Sequence, residues 1–294
     1  MPNHITNILT VKGEDWRVKK VFELIKQDDR LIDFDKIIPM PPSLRVTSGS
    51  NVDNAISILL NNTQKFTEML DYPWVKEMNI TDIEGVKNQI FKNLSPQDFY
   101  EAKVSLDNLE KYGHANWYDW SIANWGTKWN SYDNNLIDEN SISFDTAWST
   151  PFQVIQKLAE GFPELTFEVK FADEDIGSNC GIYVFDNGNL VKEYLTKGYE
   201  ATKFALKVKD YGNIGEHLSW NLPYFSVREW NKEVEDDIIE IITDEEKREN
   251  FLSTLFNNCE DDEKFYFVKG KLIDLCIRKE LYVLVKPITE MVKV

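Results

Sequence analysis

Apolar and polar positions alternate at the start of the chain, where Ile5, Leu9 and Val11 share one face at period two and Gly13, Glu14 and Asp15 close the strand. Val18, Val21, Phe22 and Ile25 follow at i, i+3, i+4 and i+7, the apolar stripe of a helix packed on a sheet. "LIDFDKIIPMPP" predicts a second strand with Ile32 and Phe34 on one face, stopped by Pro39, Pro41 and Pro42. The period then changes, and residues 46–112 predict successive helices. Their start signals are a capping box in "TDIE", Thr81 to Glu84, and an N-cap serine before proline in "SPQD", Ser95 to Asp98. Phe99, Ala102, Leu106 and Leu109 form the predicted buried stripe of the last of these helices.

Alternation returns in "SISFDTAW", with Ile142, Phe144, Thr146 and Trp148 opposite Ser143, Asp145 and Ala147. A helix follows, capped by Thr150, opened by Pro151 and striped by Ile155, Leu158, Ala159 and Phe162. "LTFEVKF" predicts another strand, and Asn187-Gly188 suits the positive dihedrals of a tight hairpin turn. Strand, helix, strand, insertion, strand, helix, strand is a split βαβ, so the expected fold class is α+β, ferredoxin-like, over residues 1–204 with a helical insertion at about 46–112. Residues 205–294 predict a smaller, acidic α+β extension, with a helix opened by "TDEE" at Thr243 to Glu246 and strands at "KFYFVKG" and "LYVLVKPI".

Composition narrows the function classes. With 294 residues, 42% of them hydrophobic, the chain can bury a sizeable core. A net charge of -17 repels phosphate backbones, so direct nucleic-acid binding is not expected. No apolar run reaches membrane-spanning length and the first residues lack the pattern of a signal peptide, which predicts a cytoplasmic protein without a membrane partner. Cys180, Cys259 and Cys276 show no paired spacing and read as reduced core residues.

Few residues suggest chemistry. His4, His114 and His217 lack ligand spacing, so neither a metal nor another cofactor is expected. "DNNLIDEN" (Asp133 to Asn140) and "DEDIGSN" (Asp173 to Asn179) read as acidic turns; Asp145, Asp173 and Asp175 would serve a metal-dependent nuclease or nucleotide-processing enzyme, the alternative to a protein with no catalytic residues. Trp117, Trp120, Trp125, Trp129 and Trp148 crowd one stretch and are expected mostly in the core, although a tryptophan exposed beside Lys128 could stack on a base in a single-stranded nucleic-acid module. Residues 231–263 carry 13 acidic and 3 basic side chains. Glu233, Glu235, Asp236, Asp237, Glu240, Asp244, Glu245, Glu260, Asp261, Asp262 and Glu263 are therefore the expected surface for a basic partner.

Several motifs occur in a telling order: "MPNHITNILTVKG", "IDFDKIIPMP", "NWGTKWN", "FDTAWSTP" and "FPELTFEV". Over roughly residues 1–194 the chain resembles the Api92-like family, also called the YubB ferredoxin-like family. The resemblance marks Asn124, Trp125, Gly126, Thr127, Lys128, Trp129, Asn130, Asp145 and Trp148 as family-motif residues. It implies an accessory protein of phages or plasmids and no particular reaction. Where the family opens with Trp-Cys after "MPN", this chain has His4 and Ile5, so any role of that cysteine is absent. These readings together lead to the expectation of a non-catalytic, oligomeric phage or plasmid protein that binds and inhibits a bacterial host protein, a component of anti-phage defence that handles nucleic acid.

Overall fold

Strand β1 (His4–Lys12) buries Ile5, Asn7, Leu9 and Val11 on one face, as its period-two pattern requires, and helix α1 (Asp15–Ile25) turns Val18, Val21 and Ile25 inward. The computed structural model describes residues 3–210, 212–225, 229–259 and 261–291. The predicted second strand is absent. Ile32 and Phe34 are buried, but they lie in a bend and in the single-turn helix α2 (Phe34–Ile37), which Asp33 caps by accepting from the Asp35 amide. Side chains take the place of a ladder here: Asn134 Oδ1 accepts from the amides of Leu31 and Ile32, and Asn130 Oδ1 accepts from that of Phe34.

A 3-10 turn (Pro42–Leu44) leads into the helical insertion, formed by α3 (Ser50–Leu59), α4 (Thr63–Met69), α5 (Pro73–Glu77), α6 (Ile83–Lys92) and α7 (Pro96–Tyr112). Phe66, Met69, Val75, Val86 and Ile90 make a core of their own, and Val52 and Ala55 pack with Ala102. The capping box at Ser95 and Asp98 forms as expected, with Ser95 Oγ accepting from the Asp98 amide at 3.2 Å. In "TDIE" the cap is Asp82, one residue later than expected, accepting from the Gly85 amide at 2.7 Å. The buried stripe of α7 is also rotated to Ala102, Ser105 and Asn108, leaving Leu109 exposed, because Asn108 bonds to Ser43 and to the Ala115 carbonyl.

After α8 (Trp117–Trp125) come strands β2 (Tyr132–Asp138) and β3 (Ser141–Ala147), an antiparallel pair. The acidic turn expected at Asp133 to Asn140 is thus largely the second strand, an edge strand too exposed to show alternation. Helix α9 (Phe152–Gly161) begins after Pro151, which occupies the cap position itself. Thr150 therefore makes no side-chain cap and holds only the Phe152 amide through its carbonyl. Strands β4 (Thr166–Asp173), β5 (Gly181–Asp186) and β6 (Asn189–Leu195) complete one six-stranded sheet in the order β2-β3-β1-β4-β5-β6. Its first four members have the split βαβ order, so the fold is α+β and ferredoxin-like. The insertion sits inside the first crossover, between α1 and β2, rather than between the second and third strands. Asn187 and Gly188 both take positive φ, 48° and 74°, as the tight hairpin demands.

Helices α10 (Gly198–Lys209), α11 (Ile214–Asn221), α12 (Lys232–Thr243), α13 (Glu245–Asn257), α14 (Asp262–Arg278) and α15 (Tyr282–Glu290) follow. The strands expected at "KFYFVKG" and "LYVLVKPI" are α14 and α15, and no strand occurs among the described residues after Leu195. Phe265, Val268, Leu272, Leu275 and Cys276 recur at helical spacing, and Asp261 caps α14 through the amides of Glu263 and Lys264. The C-terminal extension is accordingly helical, not α+β. Two compact units divide the strands between them: Met1–His4, Leu9–Glu168 and Val184–Val191 in one, Ile5–Ile8, Val169–Tyr183 and Lys192–Val294 in the other. No helix of the described residues is long and apolar enough to cross a membrane.

Candidate functional site

Most of the "NWGTKWN" segment serves the scaffold. Trp125 is buried, its indole donates to the Ile38 carbonyl at 2.9 Å, and its ring meets Trp120 and Phe34 edge-on. Asn124 closes the end of α8 by donating to the Trp120 carbonyl, and Thr127 donates to the Ala147 carbonyl at 2.7 Å. Asn130 is consumed as well. Its Oδ1 accepts from the amides of Phe34 and Ser131, and its Nδ2 donates to Asp33 at 2.6 Å. Gly126 ends α8 in the left-handed region at φ 78°, where an added Cβ would lie 2.0 Å from Gln153 Oε1.

Lys128 and Trp129 remain. The Lys128 ammonium lies 4.8 Å from the ring centre of Trp129, 4.9 Å from that of Trp148 and 5.6 Å from that of Tyr118. Three aromatic faces therefore hold one cation in place. Trp129 is 38% exposed and Trp148 40%, so the core expectation holds for Trp120 and Trp125 and fails for these two, while Trp117 is half-buried. Trp148 leaves the β3 pattern at φ 75°, rare for a bulky side chain, with its amide bonded to the Asn3 carbonyl at 2.9 Å. Beside the cluster, Tyr132 bonds to His4 Nδ1 at 2.8 Å and packs edge-on to Trp129.

The acidic helices are more internally paired than their sequence indicates. Glu235 takes a two-point contact from Arg278 at 2.7 and 3.1 Å, Asp236 faces Lys279 at 3.4 Å, and Asp237 faces Lys203 at 3.2 Å. Burial, and next the Asp237 carboxylate, pushes the Tyr199 hydroxyl above its ordinary range. Asp244 caps α13, and the Lys247 amide first and then its ammonium hold that carboxyl below the usual range. Asp261 caps α14. Glu233, Glu240, Glu245, Asp262 and Glu263 are exposed. Glu260 lies outside the described residues.

Asp145 sits on β3 opposite Tyr132. Asp173 is buried at the end of β4 and accepts from the Asp175 amide at 3.0 Å, the local turn of a side chain bonding its own backbone. No group of three or more His, Cys, Asp or Glu among the described residues is placed to hold a metal ion. Cys180, Cys259 and Cys276 are buried thiols outside any disulfide, and burial pushes the Cys180 and Cys276 thiols up. His217 is half-buried, and burial holds its imidazole below the ordinary value of 6.5.

Residues 124–211 match the family described as the ferredoxin-like domain in Api92-like protein. A solved structure similar to this chain is that of a protein api92 from Yersinia pseudotuberculosis, 10% identical, covering 67% of this chain and 99% of that one with a TM-score of 0.28. No curated protein matches the chain.

Proposed function

We propose, with residues 124–211 forming the ferredoxin-like domain of Api92-like proteins as the premise, that this chain is a non-catalytic phage or plasmid accessory protein. In this reading it acts in the bacterial cytoplasm, where it binds and inhibits a host protein that handles nucleic acid in anti-phage defence. The supporting observation is the charge left on the C-terminal helices. Arg278, Lys279 and Lys203 occupy Glu235, Asp236 and Asp237, yet Glu233, Glu240, Glu245 and Glu263 stay exposed in a stretch of 13 acidic and 3 basic residues. Such a surface repels nucleic acid and is complementary to the basic groove of a protein that binds it.

The test is capture from a bacterial lysate by the full chain and by a variant carrying Glu240→Gln, Glu245→Gln and Glu263→Gln. These three are exposed and lie outside the ion pairs above, so the helices should stay folded. The wild type is expected to retrieve a basic, nucleic-acid-handling protein in a yield that falls with salt, and the variant to retrieve less. Equal yields would remove the acidic helices from the reading.

A further inference from the structure

We propose that a groove beside Lys128, within the first compact unit, binds a nucleoside monophosphate. The groove encloses about 460 Å³ and is lined by Arg30, Arg45, Lys128, Trp117, Trp129 and Asn130, among others. That volume lies within the usual range for small-molecule sites, roughly 300–1,000 Å³. Three cations converge on it in a protein of net charge -17. Its one lining carboxylate, Asp35, is already engaged: Arg45 approaches one oxygen at 2.6 Å, and the Met40 amide donates to the other at 2.9 Å.

Arg30 and Lys128 are differently placed. Arg30 Nε donates to the Ser131 carbonyl at 3.0 Å, which fixes the guanidinium and leaves its terminal amino groups for a ligand. Lys128 is held by aromatic rings instead of a counter-ion, and among the described residues neither cation is in an ion pair. A phosphate monoester supplies the missing charge, and a fixed guanidinium and an ammonium suit its oxygens.

The rest of the wall selects a flat group. Trp117 and Trp129 line the groove with indole rings, and Trp129 is 38% exposed. Hydrogen-bonding capacity for reading a base edge is scarce, because the Asn130 amide bonds Phe34, Ser131 and Asp33 and the Trp125 indole bonds Ile38. Stacking without edge readout tolerates any base. Each further phosphate of a strand would meet the repulsion of an acidic protein, which favours a mononucleotide over a polymer.

Isothermal titration of the full chain with AMP, GMP, CMP, UMP, adenosine and a 5′-phosphorylated single-stranded oligonucleotide tests this. The four monophosphates are expected to bind saturably, within about tenfold of one another. Adenosine and the Lys128→Met variant should each lose about tenfold or more, the range of a lost charged contact. Trp129→Leu and Arg30→Gln provide the same comparison should Lys128→Met fail to fold. Absence of saturable binding to the wild type overturns the proposal, as does binding that none of these changes weakens. An oligonucleotide that binds tighter than its mononucleotide overturns the choice of ligand.

Discussion

Gly126 occupies its left-handed φ of 78° against Gln153, and Trp148 occupies φ 75° with its amide on Asn3, so the two ends of the Lys128 cluster rest on unusual backbone. Only glycine adopts such a conformation cheaply. Gly126→Ala is therefore expected to cost about 1–2 kcal/mol, the penalty of a side chain in that region, and thermal unfolding should register it as a lower Tm. An unchanged Tm would mean that the turn relaxes. The scaffold role of "NWGTKWN" was legible from its glycine and asparagines, whose turn chemistry is local. The convergence of Arg30 and Arg45 on Lys128 was not, because residues some eighty or more positions away share no pattern with it.

His217 supplies a second test at this scale. Its folded value lies below its ordinary 6.5, so as pH falls below about 6.5 the unfolded chain takes up a proton that the folded chain still refuses. Stability from this group is full above that pH and declines on acidification. Denaturant unfolding should show a smaller loss from pH 7 to pH 5.5 in His217→Gln than in the wild type; equal losses would assign the decline to other groups.

Among the elements, strands with one wet and one dry face are the ones their sequence predicts: β1 alternates along its length, and β3 and β4 alternate over residues 142–146 and 166–171, where one row is buried. β2 escaped because it is an exposed edge, and "LIDF" imitated a strand because Ile32 and Phe34 are buried either side of the capping Asp33, with the amides of Leu31, Ile32 and Phe34 bonded to Asn134 and Asn130 in place of a ladder. "KFYFVKG" misled through its aromatics. Tyr266 and Phe267 are exposed, and the row that matters is Phe265, Val268, Leu272 and Leu275, legible only when the window extends to helical length. Leu272 is fully buried in the helical core with Leu218, Ile238 and Leu255. Leu272→Ala should cost about 2–5 kcal/mol in denaturant unfolding, and a change near zero would show that this helix is not packed as described.

For the whole molecule, charge and edges are where association is expected. β6 is exposed along its length at the end of the sheet and carries Leu190, Val191, Tyr194 and Leu195, the kind of edge that recruits another strand. Light scattering is expected to give a mass above the 34.4 kDa of one chain, and Val191→Pro should return it to that value. A mass of one chain at every concentration would contradict this.

Net charge was legible at once from composition, but its distribution was not, since Arg278, Lys279 and Lys203 reach the acidic helix from distant positions in sequence. What remains exposed is the basis of the proposed function. The most direct measurement is the association rate between this protein and its captured bacterial partner across ionic strength. Exposed charges are screened over about 8 Å at physiological salt, so the rate should fall steeply as salt rises and lose most of that dependence when Glu240, Glu245 and Glu263 become glutamine. A rate that is insensitive to salt, or a salt dependence that survives the three substitutions, would contradict binding through the acidic helices.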